Sequence, residues 1–219
     1  MDRRDKAQET AKPRIVLVTP MVDDAARFAP QLTAACGAAD VAAVILRLAT
    51  ADDSVQIERV RILGAALPEG GPILLLDGHA NLVSRSVAAG VQLQGSEPVA
   101  SARKALKQER TIGAGRLQSR HDAMVSAEGG ADYVMFGEPD ASGKRPSLAA
   151  LIERVEWWSE LFVIPCVAYA AHLDAIEPLV EAGADFIALG EEAVWNSPDG
   201  PARALVAAMV HLAVAEPAE

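Results

Sequence analysis

Strand-length apolar runs alternate with alanine-rich helical periods along nearly the whole chain, and this alternation constrains the fold more than any other feature. The expected strands are RIVLVT (14–19), VAAVILRL (41–48), PILLLD (72–77), GVQLQ (90–94), TIGAG (111–115), DYVMFG (132–137), FVIPCVAYA (162–170) and DFIALG (185–190). Each has a helix candidate behind it. Helices between successive strands act as crossovers, which makes the sheet parallel and covers its faces. Eight such units in 219 residues favour one closed (β/α)8 TIM barrel, a single α/β domain, over an open doubly wound sheet. The barrel is expected over 13–215, after a flexible polar leader at 1–12.

Two phrases are nearly identical, GADYVMFGEP (130–139) and GADFIALGEE (183–192), with a weaker form, AAGVQLQG, at 88–95. In each strong copy a helix ends at glycine, where Gly129, Gly130 or Gly183 can adopt the left-handed conformation that stops a helix, and a strand starts at once. The repeat is therefore read as one helix-to-strand joint used twice. That reading leaves the acids after each strand, Glu138 and Glu191, unexplained.

The composition narrows the function. A formal charge of -10 and a pI near 4.9 oppose a general nucleic-acid or anionic-membrane surface, which needs clustered Lys and Arg. An anionic small molecule would need a local basic pocket. Cys36 and Cys166 stand far apart with no CxxC or His-rich spacing, so neither a disulfide framework nor a zinc site is indicated. The start MDRRDKAQETAK has no apolar core of a signal peptide, and no later apolar run reaches the roughly 18 residues of a membrane span, so the cytoplasm is the expected compartment.

Barrels keep their chemistry where strands end. The expected strand ends carry Arg47, Asp77, Gln92 with Glu97 close behind, Gly115 with Arg116, Gly137 with Glu138, Tyr169, and Gly190 with Glu191 and Glu192. Asp77 and Glu97 follow neighbouring strands, so their carboxylates either converge on a hard cation such as Mg²⁺ or cap the local turn and helix. Arg47 closes an otherwise apolar run, a costly place for a guanidinium without an anion or a buried partner. Lys144 and Arg145 lie in EPDASGKRPS, either a lid with a phosphate-binding lysine or a solvated turn. His121 stands near a helix start and is either functional or a capping or surface residue; with Glu138 it forms the acid-base pair of candidates. GAG at 113–115 lacks the further glycine of a dinucleotide fingerprint. Trp157 and Trp158 fit a core role or a contact between copies in a homo-oligomer.

In this order the motifs resemble the thiamine-phosphate synthase family, over about residues 14 to 210. GGADYVMFGEP is similar to the family's GADYVGxGP, Ile45-Leu46-Arg47-Leu48-Ala49 to its QLRxK, and Leu76-Asp77-Gly78-His79-Ala80 to the start of its NDxADLA. Gly90-Val91-Gln92-Leu93-Gln94-Gly95-Ser96-Glu97 is similar to GVHLGQxD, Ser119-Arg120-His121 to SxH, and Ile164-Pro165-Cys166-Val167-Ala168-Tyr169 to the start of IPVxAIGGI. The resemblance implies a TIM barrel that joins a hydroxymethylpyrimidine pyrophosphate to a thiazole phosphate, releasing pyrophosphate. It implies Arg47 and Lys144 on pyrophosphate and Asp77 and Glu97 on Mg²⁺. Gln92, Ser119, Tyr169 and Gly190 complete the expected substrate-binding set. The family's phosphate-receiving turns read Ala170-Ala171 and Gly190-Glu191-Glu192 here. A catalytically altered member that only binds small molecules or regulates, or a heterocycle tautomerase, is therefore the alternative expectation.

Overall fold

The computed structural model describes residues 12–95, 98–140 and 142–215; the expected leader up to residue 11, and Glu97, lie outside the described residues. Eight parallel strands close into a barrel in chain order. They are β1 (Arg14–Val22), β2 (Val41–Leu48), β3 (Ile73–Asp77), β4 (Gly90–Gln94), β5 (Thr111–Gly115), β6 (Tyr133–Phe136), β7 (Cys166–Ala170) and β8 (Phe186–Leu189). Closure is made by β1 against β8, with Ile15 opposite Ile187 and Leu17 opposite Leu189. Around it run α1 (Ala25–Ala38), α2 (Asp53–Ala65), α3 (Ala80–Val83), α4 (Val99–Leu106), α5 (Arg120–Glu128), α6 (Leu148–Leu161), α7 (Ile176–Glu181) and α8 (Pro201–Val214).

Strand alternation sorts the apolar residues into two cores, because successive side chains point to opposite faces. Val16, Val18, Ala43, Ile45, Leu75, Met135, Val167 and Ala188 fill the barrel interior. Ile15, Leu17, Val44, Leu46, Leu74 and Leu76 face the helices instead. Both faces of the sheet are thus buried, which accounts for the near-continuous apolar runs in the sequence.

The joint seen twice in the sequence is a physical device. Gly130 and Gly183 have φ of 97° and 93°, so they are the residues that turn the chain out of the helix. Gly129 instead has φ of −70° as the cap of α5. The aspartate that follows ties the incoming strand to the previous one. Asp132 accepts the Ile112 N–H at 2.7 Å, and Asp185 accepts the Cys166 N–H at 2.8 Å. Each bond satisfies a backbone donor at the bottom rim of the barrel, worth about 0.5–1.5 kcal/mol.

Some boundaries differ from the sequence expectation. β7 starts at Cys166 and not at Phe162, because α6 runs on to Leu161 and Phe162 stacks on Trp158 at 4.1 Å between ring centroids. The helix behind β3 is a stub of 4 residues. Between β8 and α8 lies a π-helical turn, Glu191–Trp195. Irregular turns of this kind are common at functional sites.

Candidate functional site at the strand ends

Polar side chains at the C-terminal ends of the strands are linked nearly all the way round the barrel mouth. Glu191, just past β8, accepts Arg47 Nη1 at 3.0 Å, and Arg47 Nε lies 3.7 Å from Asp77 Oδ2. Asp77 accepts the Gln94 amide, and Gln94 Oε1 accepts Arg116 Nη1 at 2.6 Å. Glu138 closes this arc by accepting the Arg116 backbone N–H at 2.7 Å. A second arc joins Arg145 to Glu192 at 2.6 Å, and Tyr169 Oη lies 3.4 Å from Glu192 Oε2. Arg145 also stacks over the Tyr169 ring at 5.0 Å.

The arrangement needs glycines on β5. A Cβ at Gly115 would overlap the Glu138 carboxyl and the Gln92 amide, and one at Gly113 would overlap Tyr133 and Gln92. Without those two side chains, Gln92 fits inside the barrel fully buried, accepting Tyr133 Oη at 2.5 Å. GAG is thus a space-making motif for polar groups.

Beside the second arc opens a cavity of about 270 Å³, lined by Arg116, Lys144, Arg145, Arg154, Glu138 and Asp140 among others. Asp140 is used inside its own loop, accepting from Ser142 Oγ and from the Ser142 and Lys144 backbone N–H groups. Burial pushes the Glu138 carboxyl up to about 8; the Arg116 N–H opposes the rise and Asp77 reinforces it. The rise favours the protonated form of Glu138, so the cavity wall carries Arg116, Lys144, Arg154 and Arg145, the last paired with Glu192, against the committed Asp140 carboxylate. Burial, with Glu192 next, pushes the Tyr169 hydroxyl up to about 12. Burial alone would raise Glu192, but its own backbone N–H and Arg145 outweigh it and hold that carboxyl below its ordinary value.

The guanidinium groups are not saturated by these contacts. Arg47, Arg116 and Arg145 each keep a buried Nε without a hydrogen-bond partner among the described residues. Buried donors in native proteins nearly always have acceptors. Three such donors on one face, with the Gln92 amide below them also lacking an acceptor among the described residues, have the chemistry to meet an anion.

Of the residues expected from the sequence, the structure brings Arg47, Asp77, Glu138, Tyr169 and Gly190 to this mouth, with Gln92 one layer below. Lys144 lies on the cavity wall. Ser119 and His121 sit apart from the network: the Ser119 hydroxyl caps α5 in a reciprocal bond with Asp122, and His121 is exposed on the first turn. Arg116, expected only as a strand-end residue without an assigned role, lines the cavity, and Gln94 and Arg154, which the sequence does not single out, belong to the site as well. Arg116 carries a signal of its own, since it is a non-glycine residue with φ of 50° at a strand end, the sort of strain that clusters at functional sites.

A metal would find a sparse donor set. Among the described residues no group of three or more His, Cys, Asp or Glu could hold one. Asp77 is the carboxylate in position, with Glu97 expected beside it from sequence. Mg²⁺ commonly binds through one or two carboxylates with water and substrate phosphates, and Asp77 at the end of β3 supplies one.

Fold and site together define a (β/α)8 barrel with an arginine-rich polar face at its strand ends. A family model described as thiamine monophosphate synthase matches residues 15–193. The thiamine-phosphate synthase of Rhodospirillum centenum is 40% identical over 195 residues, covering 88% of this chain and 94% of the relative. That of Hyphomonas neptunium is 36% identical over 209 residues, covering 92% and 94%. The chain belongs to the thiamine-phosphate synthase family. A solved structure, the thiamine phosphate pyrophosphorylase of Pyrococcus furiosus, shares the fold with a TM-score of 0.77 at 22% identity, covering 94% of this chain and 98% of that one. No helix among the described residues is long and apolar enough to cross a membrane.

Proposed function

We propose that the protein is a transferase that moves a pyrimidinylmethyl group from its pyrophosphate ester to a thiazole nitrogen, in the cytoplasm. The observation that carries this reading is the trio of buried guanidinium Nε atoms on Arg47, Arg116 and Arg145 that lack a hydrogen-bond acceptor among the described residues, the Arg47 Nε lying 3.7 Å from Asp77, beside a cavity that also holds Lys144 and Arg154. A leaving pyrophosphate gains negative charge as its C–O bond breaks, and fixed donors aimed at such charge typically contribute 10²- to 10³-fold each to the rate. The thiazole nitrogen supplies the electron pair for the new C–N bond, so no protein nucleophile takes part.

In this account Arg116, Lys144 and Arg145 hold the leaving group, and Arg47 orients it from the opposite side of the mouth. Glu138, protonated, adds a neutral hydrogen-bond donor where a carboxylate would repel the substrate. Asp77 would hold Mg²⁺, which supplies charge neutralisation on the pyrophosphate oxygens. Gln92 and Tyr133 fix the floor beneath Glu138. Incubating the protein with hydroxymethylpyrimidine pyrophosphate, a thiazole acceptor and Mg²⁺ should release pyrophosphate and yield the coupled product by mass spectrometry. Intact substrates after prolonged incubation with a folded protein would sink this reading.

A further inference from the structure

Strand β4 carries two glutamines, Gln92 and Gln94, on one face, because residues two apart on a strand share a side. Gln92 is buried and serves the floor through Tyr133. Gln94, at the strand end, stands between two opposite charges. Its amide nitrogen donates to Asp77 Oδ1 at the end of β3, and its amide oxygen accepts Arg116 Nη1 at 2.6 Å just past β5. A carboxylate only accepts and a guanidinium only donates, so these two neighbours fix which way the amide faces. The backbone holds it there: Gln94 is level with Gly115 in the ladder, and the Gly95 N–H donates to the Gly115 carbonyl at 2.8 Å.

We propose that Gln94 is a positioning residue that holds the Asp77 carboxylate and the Arg116 guanidinium apart and in place, so that the first stays open to a divalent cation and the second to pyrophosphate. The proposal rests on the transferase reading for the identity of those two ligands. Asp77 keeps its remaining lone pairs for a metal while the amide fixes its rotation, and outer partners of this kind typically contribute about 10- to 100-fold to metal affinity. Arg116 gives one nitrogen to Gln94 and keeps its buried Nε without a partner among the described residues, so the guanidinium is oriented without being used up. With the amide gone, the two opposite charges would attract across the vacated space, and a direct pair would consume the carboxylate and the donor together. Arg47, 3.7 Å away, already gives Asp77 one positive neighbour, and a second would oppose a cation there. A neutral side chain that both donates and accepts suits this post. Glutamate would satisfy Arg116 and repel Asp77, and leucine would bond to neither.

The test measures two probes separately on the wild type, Gln94→Leu and Gln94→Glu, with melting curves to confirm folding. The first is Mn²⁺ alone, followed by electron paramagnetic resonance. The second is inorganic pyrophosphate in excess EDTA, followed by calorimetry. Gln94→Leu is expected to weaken both affinities, each by about tenfold. Gln94→Glu is expected to split them: pyrophosphate binding falls at least about tenfold because Arg116 is neutralised, while Mn²⁺ binds as tightly as in the wild type or tighter because a second carboxylate joins Asp77. General loosening of the barrel mouth would lower both affinities in both variants, so a glutamine with a purely structural role would not give this split. Unchanged affinity for either probe in a folded Gln94→Leu overturns the proposal, as does any result for Gln94→Glu other than the split, which decides alone if the leucine variant does not fold. Either outcome leaves the transferase reading standing where the wild type still couples its two substrates. A wild type that binds neither probe overturns both.

Discussion

Replacing Arg116 by glycine is expected to weaken pyrophosphate binding by about 10- to 100-fold, the usual worth of a charge-assisted hydrogen-bonding partner, and to leave thermal stability unchanged or higher. Loss of binding and gain of stability come from the same residue. The side chain lines the anion cavity and keeps a buried Nε without a partner. Its backbone stands at φ of 50°, a conformation that costs a residue with a Cβ and costs glycine almost nothing. Glycine also keeps the N–H that Glu138 accepts, so the carboxyl stays in place. Calorimetric titration with pyrophosphate and Mg²⁺, paired with a melting curve, separates the two effects. Unaltered affinity would remove Arg116 from the site, and a collapse in melting temperature would show that it is structural.

Gly90→Ala should cost about 3 kcal/mol or more of stability, seen as a fall in melting temperature of roughly 6 °C or greater. Gly90 pairs with Thr111 across the β4–β5 ladder, and a Cβ there would overlap the Thr111 carbonyl and Cα. A flexible side chain could swing aside, but backbone cannot move without parting the strands. The same strands carry Gln92, Gln94, Gly115 and Arg116, so the site should loosen with the ladder. A melting temperature equal to that of the wild type would contradict the register described for β4 and β5.

How far the sequence discloses the molecule depends on the range of the forces concerned. The strands were legible because a two-sided buried strand must be apolar throughout, and the joints because a left-handed glycine is a local requirement. The role of Asp132 and Asp185 was not, since each grips a strand 20 or 19 residues earlier in the chain. The start of β7 was read too early because Phe162 looks like strand when only its apolarity is seen; its aromatic stacking on Trp158 holds it to the end of α6. Within the site, strand-end position alone pointed to Arg47, Asp77, Glu138, Tyr169 and Gly190. The partnership of Arg47 with Glu191 spans 144 residues and follows only from closure of the barrel. Glu191 and Glu192, which stand where the resembling family receives a phosphate, pair in the structure with Arg47 and Arg145.

The central claim is that the strand-end face keeps one anion site, and that it lies between β5 and the loop after β6. A crystal of the protein soaked with pyrophosphate and Mg²⁺ tests this most directly. Pyrophosphate density in contact with Arg116, Lys144 and Arg145 is the expected result. Density seated instead at Gly190, with Glu191 and Glu192 swung away, would contradict it, as would a fully open mouth that stays empty at millimolar ligand.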